Sequence, residues 1–175
     1  KLVADGPDGL VIGGDFDTPA AGLNVVRWAP SGFTKLGAGI DQGVSEIAVA
    51  PDGRLFVAGY AIRSGSTDLG SLGVWSGTAW EPVEGMEGFV QDLAWFDDRL
   101  IVAGSYLTHT VGIAAGQRIG ALAAWDGAAW SDLGSLSFAA YDASTWTVVP
   151  WAEGLFVTGT FDEAGGAPSS GLAWF

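Results

Sequence analysis

Four apolar segments of one pattern recur along the chain, and the fifth residue of each is a glycine. They occupy residues 10–16, 55–61, 100–106 and 155–161, so their starts lie 45, 45 and 55 residues apart. A short continuous apolar run is typical of a β-strand that is covered on both faces. We expect the glycine at positions 14, 59, 104 and 159 to let a neighbouring ring or backbone approach closely.

Aromatic residues form two further series along the chain. One series is Trp28, Trp75, Trp125 and Trp174, and the other, five residues later, is Phe33, Trp80 and Trp130. We interpret both series as packing residues at equivalent strand positions, because aromatic rings are favoured on pleated, half-buried surfaces. Trp95, Trp146 and Trp151 depart from the pattern and are candidates for a role at the surface.

A second kind of strand precedes the apolar segments. It alternates at residues 44–49 and 90–95, and a divergent version at 146–151 precedes the fourth segment. The turns that follow, at 52–53 and 97–98, are of the Asp-Gly and Asp-Asp type, which favours tight hairpins. Each repeat therefore predicts four antiparallel strands, and the fourth repeat only three.

We predict an all-β chain in the form of a β-propeller arc. Its approximate repeats are residues 1–43, 44–88, 89–140 and 141–175, the last of them incomplete. An antiparallel four-stranded sheet repeated at this period is a propeller blade. A β-solenoid is the alternative, but its strands run parallel and its coils are shorter. The incomplete repeat leads us to expect that the arc continues into a larger propeller, or else that another copy supplies the missing strand.

Charge and composition limit the partners. The chain has 7 Lys and Arg against 20 Asp and Glu, a formal net charge of −13, and no Cys. A surface this acidic repels phosphate backbones and anionic lipid, so we expect no nucleic-acid partner and no membrane insertion. The lack of Cys excludes disulfides and thiolate chemistry.

Two motifs resemble a known group of propeller repeats. They are FDEAGG at residues 161–166 and AAWDGAAWSDLG at residues 123–134. They resemble the secreted, kelch-like repeats of bacterial surface proteins and of the fungal cortical marker of cell polarity family. Only Gly13-Gly14 reproduces the kelch double glycine, and Trp125-Asp126 lacks the Gly-His partner of WD repeats. The resemblance implies a secreted or cell-surface propeller and does not identify a ligand.

The pattern of reactive residues predicts no catalytic site. His109 is the only histidine, and no Gly-x-Ser-x-Gly motif supplies a nucleophile. Asp97 and Asp98 occupy a turn, so we interpret them as turn-forming residues. Asp15, Asp17, Asp162 and Glu163 are weak candidates for calcium ligands in glycine-rich loops, with solvated loop carboxylates as the alternative. No other cofactor is expected.

Function is expected at the long connections that follow the apolar strands. They lie at residues 15–24, 61–72, 105–120 and 160–171, with an insertion at 136–145. Variable loops on a rigid scaffold commonly carry binding sites. We select Tyr106, His109, Gln117 and Arg118, in the third connection, as the candidate contact surface for protein or glycan.

Three hypotheses for function remain open. The first is a non-catalytic extracellular or cell-surface module for protein or glycan binding and structural scaffolding. The second is part of a carbohydrate-active or oxidase-like propeller enzyme whose catalytic residues lie elsewhere. The third is a self-assembling subunit that exchanges a strand with other copies through open sheet edges.

Overall fold

A computed structural model describes residues 1–18, 22–109, 118–133, 136–137 and 142–175, and these residues form only strands, turns and bends. The all-β class predicted from the sequence is confirmed. The described residues contain no helix long and apolar enough to cross a membrane. Contacts divide the chain into two compact units, Lys1–Glu84 and Gly85–Phe175, which we describe separately.

The first unit contains two four-stranded antiparallel sheets. Sheet I consists of β1 (Leu2–Ala4), β2 (Leu10–Thr18), β3 (Gly22–Ala29) and β4 (Gly32–Lys35), in that order. Sheet II consists of β5 (Val44–Val49), β6 (Leu55–Ser64), β7 (Thr67–Trp75) and β8 (Trp80–Pro82), also in that order. Every strand of both sheets therefore pairs with its neighbours in sequence.

One apolar core joins the two sheets of this unit. Val11 and Val25 of sheet I pack in it with Val57 and Trp80 of sheet II, all of them almost fully buried. The Trp80 indole N–H donates a hydrogen bond of 3.0 Å to the carbonyl of Leu36 in the connecting segment. Burying one such side chain contributes about 1.5–3 kcal/mol, so this core stabilises the pairing of the two sheets.

The second unit contains a seven-stranded sheet in two parts. The first part is β9 (Met86–Phe96), β10 (Arg99–His109), β11 (Arg118–Trp125) and β12 (Trp130–Asp132). The second part includes β14 (Ser144–Trp151) and β15 (Gly154–Thr160), and β18 (Leu172–Trp174) follows β15 in the sheet order. We call these part III and part IV, and the pair of Ser105 with Ser144 joins them among the described residues.

Thr145 ties part III to part IV inside the second unit. Its side chain is fully buried, and its hydroxyl accepts a hydrogen bond of 2.7 Å from the Gly104 N–H. The same hydroxyl donates to the carbonyl of Ala121. Around these bonds the apolar core brings Ile101 of part III together with Val148 and Val157 of part IV.

A small separate sheet completes the second unit. It consists of β13 (Leu136–Ser137), β16 (Glu163–Ala164) and β17 (Ala167–Pro168), each two residues long. The sheet ties the insertion expected at residues 136–145 to the connection that follows β15, through the antiparallel pair of β13 and β16.

The predicted tight turns are present. Asp97 and Asp98 have φ angles of 50° and 57°, and they join the paired residues Phe96 and Arg99. Two successive residues with positive φ form the hairpin turn whose twist matches that of the strands. The interpretation of Asp97 and Asp98 as turn-forming residues is confirmed.

The long connections differ from the expectation of irregular loops. β6 continues to Ser64 and β7 begins at Thr67, so most of the connection at 61–72 is strand. Likewise β10 continues to His109, which pairs with Met86 of β9. The bulges recorded after Ala58 and Ala103 interrupt the pairing register, which hides the strand continuation from a search for alternating residues.

The position predicted for Trp174 is wrong by one residue. Trp28, Trp75 and Trp125 pair with the first residue of their apolar segments, namely Leu10, Leu55 and Leu100. In the fourth repeat Trp174 pairs instead with Phe156, and Phe175 exchanges backbone hydrogen bonds with Leu155. Because side chains alternate between the faces of a strand, Trp174 lies on the face opposite to the earlier tryptophans.

The prediction for the repeated glycine is confirmed at three of its four positions. A Cβ atom on Gly59, Gly104 or Gly159 would come within 3.0 Å of a backbone carbonyl oxygen, that of Gly43, Phe89 and Ser144 respectively. At Gly14 the nearest atoms are those of the Phe16 ring at 3.6 Å, an ordinary contact. Close backbone approach is therefore a property of the last three repeats. The arrangement of the sheets as propeller blades stays a prediction.

Candidate binding surface

The side chains predicted to form the contact surface at the third connection lie outside what the structure describes. Gln117 is not among them, and for Tyr106, His109 and Arg118 only the backbone is described, on β10 and β11. The candidate contact surface formed by these four residues therefore stays a prediction.

The four candidate calcium ligands are not brought together as a cluster. Asp15 and Asp17 are exposed on β2, in the first unit. Asp162 and Glu163 belong to the second unit, where the Glu163 carboxylate accepts a hydrogen bond of 2.9 Å from the Ser137 hydroxyl. Within the described ranges, no three His, Cys, Asp or Glu side chains lie close enough to hold a metal ion.

Two carboxyls with a lowered pKa, those of Asp52 and Asp126, belong to turns. The Arg54 backbone N–H, and then its guanidinium, lower the pKa of Asp52. The backbone N–H groups of Ala129 and Ala128 lower the pKa of Asp126. Both residues are exposed, and both carboxyls accept hydrogen bonds within their own hairpin turn, so the shifts reflect turn formation.

A cavity of about 220 Å³ lies at one end of sheet I. Asp17 and Lys35 supply its charged lining, and Leu23, Gly37 and Gly39 supply part of the remainder. The glycines have φ angles of 63° and 77°, so the segment after β4 turns sharply over the sheet at this point. The cavity combines one carboxylate with one ammonium group and has no second cation.

One face of part IV exposes several large apolar side chains. Val149, Phe156 and Trp174 stand opposite one another on β14, β15 and β18 and form a row across all three strands. They are exposed by 47, 41 and 49%. Trp151 and Leu172 lie two residues along the same strands, so alternation places them on the same face, and they are exposed by 67 and 59%. We call these five residues the Trp174 face.

The rings of this face are held in place by the sheet. The Phe156 and Trp174 rings meet edge to face, with centroids 4.7 Å apart. A Cβ on Gly154 would meet the Trp174 indole at 2.5 Å, so the missing side chain leaves the space that the indole occupies. Trp151 pairs with Gly154 and lies beside the same space. Aromatic rings fixed in this way expose a large apolar surface with little side-chain freedom left to lose.

The opposite side of the same strands is buried. Val148, Leu155 and Val157 are almost fully buried in the core shared with part III. Their alternation with the exposed residues shows that one side of part IV is covered and the other is open. Contiguous apolar surface of this kind marks an interaction site more often than scattered apolar residues do.

Sequence reasoning identified Trp151 as a surface candidate but missed Val149, Phe156 and Trp174. The repeats give no signal at Val149. The second and third repeats have Ala48 and Ala94 at this position, but the first repeat has Val3, which pairs with Val11 and packs against a core. The size of this side chain therefore does not distinguish a covered face from an open one.

Comparison of the chain with protein-family models and with curated proteins finds no match.

Proposed function

We propose that the chain is a non-catalytic, β-propeller-type binding and scaffolding module, secreted or at the cell surface, that binds protein through the Trp174 face. The observation that carries the proposal is the row of Val149, Phe156 and Trp174, exposed across three paired strands. Association that buries such rings is driven by the hydrophobic effect, and aromatic residues are enriched at the centres of protein interfaces.

The chemistry of the face favours protein over glycan. A sugar site needs polar groups to bind hydroxyls beside any stacked ring. The Trp174 face contains two aliphatic residues, Val149 and Leu172, and three aromatic residues. The polar side chains beside it on β14 and β15 are those of Thr147 and Thr158, each of which offers one hydroxyl. A protein surface that buries apolar side chains fits this composition better.

A catalytic role has less support among the described residues. Asp52 and Asp126, whose pKa values are lowered, are exposed and form hydrogen bonds within turns. Catalytic groups commonly combine a shifted pKa with burial in a cleft. A binding module that acts without turnover requires neither.

Position-specific photo-cross-linking tests this function. A benzophenone amino acid replaces Trp151 in one protein and Tyr60 in the control, since both side chains are 67% exposed and Tyr60 lies on sheet II. Each protein is irradiated in the growth medium and in washed cells of the producing organism. We expect protein adducts from position 151. Adding Val149→Lys to the same protein should lower the adduct yield at least about tenfold.

Three outcomes of this experiment would contradict the proposal. Equal adduct yields from positions 151 and 60 would show nonspecific contact. Adducts that carry only glycan would show that the Trp174 face binds glycan and not protein. The absence of any adduct at position 151, in medium and in cells, would remove the role of the Trp174 face.

A further inference from the structure

The repeats allow the Trp174 face to be compared with equivalent faces that are covered. Val11, Ile101 and Phe156 each stand three residues before the repeated glycine of their strand. Val11 and Ile101 are fully buried in the two core clusters, whereas Phe156 is 41% exposed. In the first unit the side chains that cover Val11 come from the following sheet, and in the second unit those that cover Ile101 come from part IV.

Sheet I exposes the complementary side of the same kind of interface. In sheet II, Leu55, Trp75 and Trp80 form a paired row that packs into the core shared with sheet I. The equivalent row of sheet I is Leu10, Trp28 and Phe33. Trp28 and Phe33 are 36 and 55% exposed, and Leu2, on the same face, is 68% exposed. We call Leu2, Leu10, Trp28 and Phe33 the Trp28 face.

We infer that the Trp174 face of one copy of this chain binds the Trp28 face of a second copy, in a head-to-tail contact. The inference rests on the proposed binding role of the Trp174 face, and it names the partner. Each unit already contains an equivalent contact, made by rows at the same positions of the repeat. Both exposed faces are apolar, and their rows stand at the strand positions that meet each other within the units.

The head-to-tail geometry has a consequence for assembly. Because the contact joins two different faces, an open assembly always has a free Trp28 face at one end and a free Trp174 face at the other. Association therefore continues beyond a dimer unless the ring closes. A contact between two identical faces would stop at a dimer.

Blocked variants of the whole chain test the inference. Val149→Lys blocks the Trp174 face and Phe33→Lys blocks the Trp28 face, while Tyr60→Lys adds the same charge at an exposed site on neither face. Sedimentation velocity over a concentration series measures the mass of each protein. Circular dichroism checks the fold, and Leu172→Lys, on β18, repeats the first block at a second position.

We expect the unmodified chain and Tyr60→Lys to form species larger than the 17.9 kDa chain as concentration rises. Val149→Lys and Phe33→Lys should each remain at the mass of one chain, with association weakened at least about tenfold. Mixed in equal amounts, the two variants should form a dimer and nothing larger, since each supplies the face that the other lacks.

Other results overturn the inference. These are a single-chain mass for the unmodified protein at every concentration, a dimer of Phe33→Lys alone, or no dimer in the mixture of two folded variants. The proposed function fails separately. If the unmodified chain does not self-associate but position 151 still cross-links to a different protein, the binding role stands and the second copy is not the partner.

Discussion

At the scale of single residues, buried polar side chains connect neighbouring segments of the cores by hydrogen bonds. Asn24 is buried with a φ angle of 58°, accepts a hydrogen bond from the Phe16 N–H, and donates one of 2.9 Å to the carbonyl of Ile40. Thr145 makes comparable bonds between parts III and IV. Buried polar groups that are hydrogen-bonded in this way fix how neighbouring strands meet.

Replacement of Thr145 by valine tests how much these hydrogen bonds contribute to stability. The change preserves the shape of the side chain but leaves the Gly104 N–H and the Ala121 carbonyl without their partner in the core. We expect a loss of about 1–3 kcal/mol in the free energy of unfolding, because a buried group then pays its full desolvation cost. Urea denaturation measures the loss. Thr147→Val, at an exposed position of the same strand, is the matched control and should change stability by less than about 0.5 kcal/mol.

Individual residues also show where sequence reasoning stops. Residues 55–57 and 155–157 have the same sequence, Leu-Phe-Val, yet Phe56 is fully buried and Phe156 is 41% exposed. The local pattern predicts a strand in both places, and both are strands. Exposure depends on what lies over the strand, which the local sequence does not encode. The Trp174 face was missed for this reason.

At the scale of strands and turns, the sequence predicted the apolar strands and their tight hairpins, because glycine, aspartate and apolar runs act locally. The sequence did not predict the position of Trp174, because strand register determines the face on which a side chain lies. Trp174 is one residue away from the position expected from spacing, since Phe175 takes the place opposite Leu155. A spacing of 49 or 50 residues from Trp125 is equally acceptable to a repeat search, whereas a slip of one residue reverses the face.

The repeated glycine provides a prediction at this scale. In Gly104→Ala the new methyl group meets the Phe89 carbonyl, and the strand pair of β9 and β10 must separate. We expect destabilisation by about 1–3 kcal/mol, as for other overpacked sites. Gly14→Ala meets only ordinary contacts and should be neutral or stabilising by up to about 1 kcal/mol. Thermal unfolding of the two variants compares them, and equal losses would contradict the close approach at Gly104.

At the scale of the whole molecule, the net negative charge affects the stability of the fold. The net charge is −13, and the ion pairs among the described residues mostly join exposed or half-exposed side chains, as in Arg54 with Asp52. Such exposed pairs contribute little. Repulsion among the carboxylates therefore opposes the compact state at low ionic strength.

We accordingly expect the melting temperature to rise with salt. Increasing ionic strength from about 0.01 M to about 0.15 M shortens the screening length from about 30 Å to about 8 Å, which weakens the repulsion. Differential scanning calorimetry at pH 7 measures the shift. Near pH 4.1, the isoelectric point calculated from the sequence, the same salt step should have a much smaller effect. A melting temperature that falls with salt at pH 7 would show that attractive pairs dominate instead.

The order of the strands has one more consequence, which concerns synthesis. In sheets I and II each strand pairs only with strands next to it in sequence, and the same holds among β9 to β12. Contacts between sequence neighbours close short loops, and topologies rich in them fold quickly. Each sheet can therefore pair its strands soon after its own segment leaves the ribosome, but it buries its apolar face only after the next segment has been translated. Sheets I and II should accordingly become stable together, because their core takes side chains from both.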